Sequence, residues 1–312
     1  MNVNAVIDPE TARALAELPF DFSALSAETL PMFRTMMGAF PPVELSDNVE
    51  RTDYLISNGN EPDIVVRVHR PKGLSGALGC IYWMHGGGLI MGSHLLDDAR
   101  FDNWCQRFGI VAVSVDYRLA PETPYPGPIE DCYQGLRWVH DKAEMLGVDP
   151  TRIGIGGASA GGGLAASLAL LARDRGELAL QYQLLIYPMI DDRRITVSSQ
   201  WEVPMWPPAS NTLGWTAYLG DKIGTADVSP YAAAARATDL RGLPPALIAV
   251  GGIDGFVDED IDYAARLNRA EVPTELHVYP GAPHGFDGIT PNTTLAGRAR
   301  RDMTDWLAKQ LS

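Results

Sequence analysis

Eight short apolar or alternating runs punctuate the chain, at positions 49–56, 63–69, 78–84, 110–115, 152–155, 181–187, 246–250 and 275–279. Their length, and the turn residues that bound them, predict strands. From the third run onward they alternate with stretches of helical period at 131–146, 159–173, 258–270 and 298–311. Strand–helix alternation builds a mainly parallel sheet with helices on both faces. The first two strands have no helix between them and are expected to pair antiparallel. Ahead of them lie two short helical patterns, 9–18 and 27–37, the second with Leu30, Phe33, Met36 and Met37 at helical spacing. Between 191 and 229 the strand rhythm stops. Three of the seven tryptophans, Trp201, Trp206 and Trp215, fall there beside Pro204, Met205, Pro207, Pro208 and Tyr218. A long connection with its own aromatic content is expected to be a lid or binding segment, one that lines an apolar pocket.

Composition narrows the class. A chain of 312 residues, 46% hydrophobic and 21% charged, can bury one large core. A formal net charge of −14 opposes a polyanion-binding surface, and no basic run or basic–aromatic stripe marks a nucleic-acid partner. Cys80, Cys105 and Cys132 are too few and too scattered for a disulfide framework. No Cys/His spacing suggests a metal site, so no cofactor is implied. The start, Met1-Asn2-Val3-Asn4-Ala5, leads into no basic, then apolar, signal pattern, and no apolar stretch is long enough for membrane insertion. The expectation is a cytoplasmic protein.

Two glycine-rich segments carry the chemistry. Gly157-Ala158-Ser159-Ala160-Gly161 sits between the apolar run 152–155 and a helical stretch. A serine on that strand-to-helix turn exposes its hydroxyl, and small neighbours let backbone pass close by. The helix N-terminus beyond favours a developing negative charge. His85-Gly86-Gly87-Gly88 follows the run 78–84. Consecutive glycines let backbone N–H groups approach an oxyanion, which assigns the N–H groups of Gly86, Gly87 and Ala160 as its donors. His85 itself reads as an orienting residue.

These segments belong to a longer ordered set: Asp116-Tyr117-Arg118-Leu119-Ala120-Pro121-Glu122, Ser229-Pro230-Tyr231, Asp254 with Asp258-Glu259, and His284-Gly285-Phe286. With them the chain resembles the hormone-sensitive-lipase-like (bacterial family IV) esterases of the α/β-hydrolase superfamily. The resemblance spans about residues 80 to 290. It implies an eight-stranded, mainly parallel sheet flanked by helices with a small helical cap. The cap would be built from 1–45 and a second insertion at 191–229, and the catalytic domain from 46–190 and 230–312. Many members carry an acidic residue where this chain has Ala158, which bears on subfamily and substrate preference.

A serine nucleophile needs a base, and the base an orienting acid. Of six histidines, His284 lies in a turn-rich loop beyond a strand, where catalytic side chains converge. His277 sits within a strand, and His69, His94 and His140 are expected at the surface or in loops. Asp254 follows the run 246–250 and precedes His284, as the chain order of this fold requires. Asp258, Glu259 and Asp260 are nearby rivals that read as a helix's first turn. Asp191 and Asp192 are rivals on another strand. Arg118 is expected to pair with acidic neighbours and hold loops behind the site. Trp206, Trp201, Met205, Trp215 and Phe286 are the candidate substrate-binding residues.

The resemblance therefore implies a carboxylesterase acting on small esters of short to medium acyl chain through a Ser159–His284–Asp254 triad and an acyl-enzyme. It also implies pairing as a homodimer through the sheet edge and the terminal helix. An amidase, lactonase or natural-product deacetylase would use the same residues. A non-catalytic ligand-binding member of the fold is opposed by the complete triad.

Overall fold

In the computed structural model, which describes residues 6–18, 22–38, 44–59 and 61–311, all eight expected runs are strands. They are β1 (Val49–Asn58), β2 (Glu61–Pro71), β3 (Leu78–Met84), β4 (Val111–Asp116), β5 (Val148–Ala158), β6 (Gln183–Ile186), β7 (Ala246–Gly251) and β8 (Thr274–Tyr279). They form one sheet in the order β1-β2-β4-β3-β5-β6-β7-β8. Pairing is antiparallel for β1–β2 and β2–β4 and parallel from β4 to β8.

The alternation of side chains along each strand sends residues to opposite faces. On β3, Cys80, Tyr82 and Met84 join one core cluster while Ile81 and Trp83 join the other. The first cluster is covered by α4 (Gly127–Asp141), α6 (Ala160–Arg175) and α8 (Val257–Arg269). The second is covered by α3 (Asp98–Phe108) and α10 (Thr294–Leu311), through Phe101, Trp104, Met303 and Trp306. Both faces of the strands β3 to β7 are therefore dry, which explains their nearly continuous apolar runs. Residues 160–172 of α6 are buried all round, so this helix shows no amphipathic stripe.

Two departures from the sequence reading are linked. Helix α3 was not expected. It closes over one face of β2, and His69, expected at the surface or in a loop, is fully buried beneath it. Asp98, in the first turn of α3, lies 3.0 Å from His69 Nε2 and accepts from Arg67 at 2.8 Å. Helix α4 begins four residues earlier than expected, at Gly127, because Pro128 suits the first turn of a helix. The expected 131–146 stretch divides into α4 and the short α5 (Ala143–Leu146).

The N-terminal region contributes α1 (Pro9–Ala16) and α2 (Leu30–Gly38), and the 191–229 connection contributes α7 (Pro208–Leu219). Parts of the expected N-terminal cap, residues 1–5, 19–21 and 39–43, lie outside the described residues. Helix α9 (Phe286–Ile289) is a single turn between β8 and α10.

Candidate active site

Ser159 stands at the junction of β5 and α6 with φ 58° and ψ −123°, a backbone conformation that a non-glycine residue rarely adopts. Its surroundings hold it there. Its N–H donates to Ile186 O at 2.8 Å, and its carbonyl accepts from Gly163 N and Met189 N, each at 3.0 Å. The flanking glycines are dictated by crossing backbones. A Cβ on Gly157 would lie 2.2 Å from Gly161 O, and one on Gly161 would lie 2.1 Å from Met84 O. Any larger residue would push β5, α6 and the end of β3 apart.

His284 enters from the loop after β8. Its Nε2 lies 2.8 Å from Ser159 Oγ and its Nδ1 lies 2.7 Å from Asp254 Oδ2. A carboxylate only accepts, so Nδ1 carries a proton, and Nε2 faces the serine hydroxyl. The other oxygen of Asp254 accepts from Phe256 N at 3.0 Å. All three side chains are buried or nearly so, with Ser159 the most open at 8% exposure. Rings enclose the imidazole: Tyr187 edge-on at 4.7 Å, Phe256 edge-on at 5.0 Å and Trp206 tilted at 6.4 Å between centroids.

The rival acids are engaged elsewhere. Asp191 is bound by Arg193 and Asp192 by Arg236. Asp258 accepts from Ser198 N, and Glu259 from Ile190 N and Asp191 N. Asp260 is fully buried, and no described residue donates to either of its oxygens. Burial raises the carboxyls of Glu259 and Asp260 well above the ordinary range, with neighbouring negative charge adding to it. Neither has a described hydrogen bond to His284.

The loop after β3 approaches the serine closely. A Cβ on Gly86 would sit 3.5 Å from Ser159 Cβ, and one on Gly87 would sit 2.1 Å from Met91 O. Gly87 and Gly88 have φ of 120° and 63°. Among the described residues, no backbone carbonyl accepts from the N–H groups of Gly86, Gly87 or Ala160. His85 anchors this loop from below. It stacks flat on Tyr117 at 4.1 Å, and Tyr117 Oη donates to His85 O at 2.7 Å. Burial lowers the His85 pKa, so the ring is neutral and its Nδ1–H reaches Gly86 O at 2.8 Å.

The aromatic segment stands over the same loop. The Trp206 indole presses on Gly88, where a Cβ would meet it at 2.3 Å, and Gly214 of α7 packs on Gly88 O. Trp206 thus reaches both the glycine loop and His284. Met205, with φ 75°, turns the chain into that position. Trp201 packs against the second core cluster, and Phe286 is buried within it against Tyr279 at 5.4 Å. Trp215 is buried in the first cluster beside Tyr218. Of the five aromatic and Met candidates, Trp206 alone has a described ring contact with the triad.

The role of Arg34 was not read from sequence. Arg34 of α2 donates to Ile90 O at 2.7 Å and Ala120 O at 2.9 Å, and forms a two-pronged pair with Glu122. It fastens the N-terminal region to the segment just beyond the glycine loop. Arg118 pairs with Asp131 and Glu61, as expected, behind the same segment. A groove of about 540 Å³ lined by Arg193, Val228, Arg236 and Arg266 includes none of the triad residues.

A serine in a strained turn, an imidazole within hydrogen-bond distance and a buried carboxylate behind it have the geometry of a nucleophile–base–acid set. A family profile described as alpha/beta hydrolase fold matches residues 81–288. The chain belongs to that family. Within it, the chain is 35% identical to carboxylesterase NlhH of Mycobacterium tuberculosis, over 90% of this chain and 88% of that one. It is 32% identical to esterase LipI of the same organism, over 93% and 92%. A solved bacterial heroin esterase superposes with a TM-score of 0.92 at 38% identity, covering 98% of each chain. The chain is thus a carboxylesterase of the hormone-sensitive-lipase-like group of α/β hydrolases. No described helix of this esterase is long and apolar enough to cross a membrane.

Proposed function

We propose that this esterase hydrolyses carboxylic esters of short to medium acyl chain, with Ser159 as nucleophile, His284 as general base and acid, and Asp254 as the orienting acid. The observation that carries the reading is one imidazole bridging Ser159 Oγ at 2.8 Å and Asp254 Oδ2 at 2.7 Å. As Ser159 Oγ attacks the ester carbonyl, its proton passes to His284 Nε2. Asp254 stabilises the imidazolium and keeps Nδ1 protonated. The N–H groups of Gly86, Gly87 and Ala160 receive the oxyanion of the tetrahedral intermediate. His284 then gives its proton to the leaving alkoxide, which departs as an alcohol and leaves Ser159 acylated. Water, deprotonated by His284, attacks the acyl carbon. Collapse releases the acid and returns the proton to Ser159.

Chain-length preference follows from the cap, formed in this reading by 1–45 and 191–229 over a catalytic domain of 46–190 and 230–312. Trp206 seated on Gly88 puts an apolar wall beside the oxyanion donors, which suits small acyl groups. In the same reading the enzyme is cytoplasmic and pairs through β8, an edge strand with Leu276 and Val278 exposed, as a homodimer. The test is turnover of p-nitrophenyl esters from acetate to palmitate, with Ser159→Ala alongside. Acetate to hexanoate should turn over, palmitate should not, and the variant should lose nearly all activity. Equal inactivity of both proteins on every chain length would move amides, lactones or ligand binding to the front.

A further inference from the structure

Behind the His284 ring lies a buried polar chain that the triad does not use. Tyr187, directly after β6, meets the imidazole edge-on, and its hydroxyl donates to Asp287 Oδ1 at 2.6 Å. Asp287 is three residues beyond His284 and 1% exposed. Its Oδ2 accepts from Arg100 of α3 at 3.1 Å. Arg100 Nε donates to Asp97 Oδ1 at 3.0 Å, and Asp97 Oδ2 accepts from Trp83 Nε1 at 2.8 Å. The Arg100 guanidinium also lies over the rings of Trp83 and Trp104, at 5.3 and 5.5 Å.

The chain joins four elements. Trp83 is in β3, two residues before His85 and the glycine loop. Asp97 and Arg100 belong to the start of α3. Asp287 belongs to the loop and turn that carry His284. Tyr187 directly follows β6 and has φ 35°, a left-handed conformation that its surroundings must enforce. Burial, reinforced by the Asp287 charge, pushes the Tyr187 phenol well above its ordinary pKa, so it stays a donor. Two carboxylates flank one largely buried guanidinium, a geometry that is costly to break and holds its members in place.

We propose that Asp287 and Tyr187 are positioning residues for His284: the Tyr187–Asp287–Arg100–Asp97–Trp83 chain locks the imidazole loop to the strand that carries the oxyanion donors. The proposal rests on the triad reading of the same site. Tyr187 holds the ring's edge and Asp287 holds its loop, so base and oxyanion donors keep one relative geometry. Small displacements at a reacting centre cost rate more than binding. The effect should therefore fall on kcat and leave KM nearly unchanged.

The experiment measures kcat and KM on p-nitrophenyl acetate or butyrate for Tyr187→Phe, Asp287→Asn, the double variant and Ser159→Ala, with thermal unfolding of each. Tyr187→Phe removes one hydroxyl and keeps the ring, so it decides the case even if Asp287→Asn fails to fold. The expected result is a fall in kcat of about 10-fold for Tyr187→Phe and of about 10- to 100-fold for Asp287→Asn, with KM within about twofold. The double variant should be no slower than Asp287→Asn, because the two act through one bond. A wild-type kcat in folded Tyr187→Phe overturns the proposal. A loss carried by KM also overturns it, since that would make Tyr187 a substrate contact. Full activity in Ser159→Ala would overturn the triad reading itself, whereas an inactive Ser159→Ala beside unaltered Tyr187→Phe and Asp287→Asn would overturn only the positioning role.

Discussion

Asp254 and Asp260 stand six residues apart and are both buried, yet they live in opposite circumstances. Asp254 gives one oxygen to His284 and the other to the Phe256 N–H. Asp260 has no described donor on either oxygen, and burial pushes its carboxyl well above the usual range. The first has a hydrogen-bond partner on each oxygen. The second is held neutral by the cost of charging it where no partner waits. In the sequence the two are the same letter in one acidic run, Asp254-Gly255-Phe256-Val257-Asp258-Glu259-Asp260. What separates them is the helix. Asp254 precedes α8, at the rim where the loops converge, while Asp260 lies inside it on the face that carries Tyr263, Ala264 and Leu267 into the core.

The largest expected effect comes from breaking the engaged carboxylate. Asp254→Asn should keep the fold and lower kcat on p-nitrophenyl butyrate by about 10³- to 10⁴-fold, because an amide no longer fixes the imidazole tautomer. Steady-state kinetics beside circular dichroism checks it. A loss below tenfold would break the comparison.

Removing the unengaged carboxylate should act on stability and leave kcat unaltered. Asp260→Leu replaces an unsatisfied buried group by an apolar one of similar size. It should stabilise the fold by about 1–3 kcal/mol near pH 8. The sign with pH follows from the raised pKa. Below about pH 3.9, the ordinary aspartate value, both folded and unfolded wild type hold the proton and the penalty for ionisation is absent. As pH rises from there toward the folded pKa, the unfolded chain has lost the proton and the folded chain retains it, so wild-type stability falls. Urea melts at pH 5 and pH 8 should show the gap between variant and wild type widening at the higher pH. A constant gap would show that Asp260 ionises normally.

The smallest effect is expected where α2 meets the loops beyond β3 and β4. Glu122 is largely exposed, and its carboxyl is held down at about 2 by hydrogen bonds from Arg34 and its own backbone. Glu122→Gln should change stability little. Arg34→Ala also frees the Ile90 and Ala120 carbonyls, and should raise KM severalfold with a small change in kcat. Equal effects from both variants would place the fastening in the ion pair rather than in the carbonyl contacts.

Much of this was legible in the chain because the physics is local. A parallel sheet buried on both faces writes continuous apolar runs, and all eight were readable. Ser159 and the glycine segment were legible because their backbone geometry tolerates few residue types. Helix α3 was missed although Phe101, Trp104, Cys105 and Phe108 repeat at helical spacing. With it went the burial of His69, since a residue on β2 alternates toward whatever covers that face. Arg34, Arg100, Tyr187 and Asp287 carry no pattern at all. Apart from the Arg100–Asp97 contact, the partners named for them lie 56 to 187 positions away and meet only after the sheet is assembled. The same holds for the aromatic segment, where composition marked the region without separating Trp206, whose ring meets His284, from Trp215, which is buried in the first core cluster beside Tyr218.

The most direct test of the account is mass spectrometry of the enzyme after treatment with a fluorophosphonate, with peptide mapping and with His284→Ala as the comparison. The account predicts one adduct per chain, on Ser159, and labelling at least 100-fold slower without His284. An adduct on another serine, or equal labelling of Ser159 when His284 is absent, would contradict it.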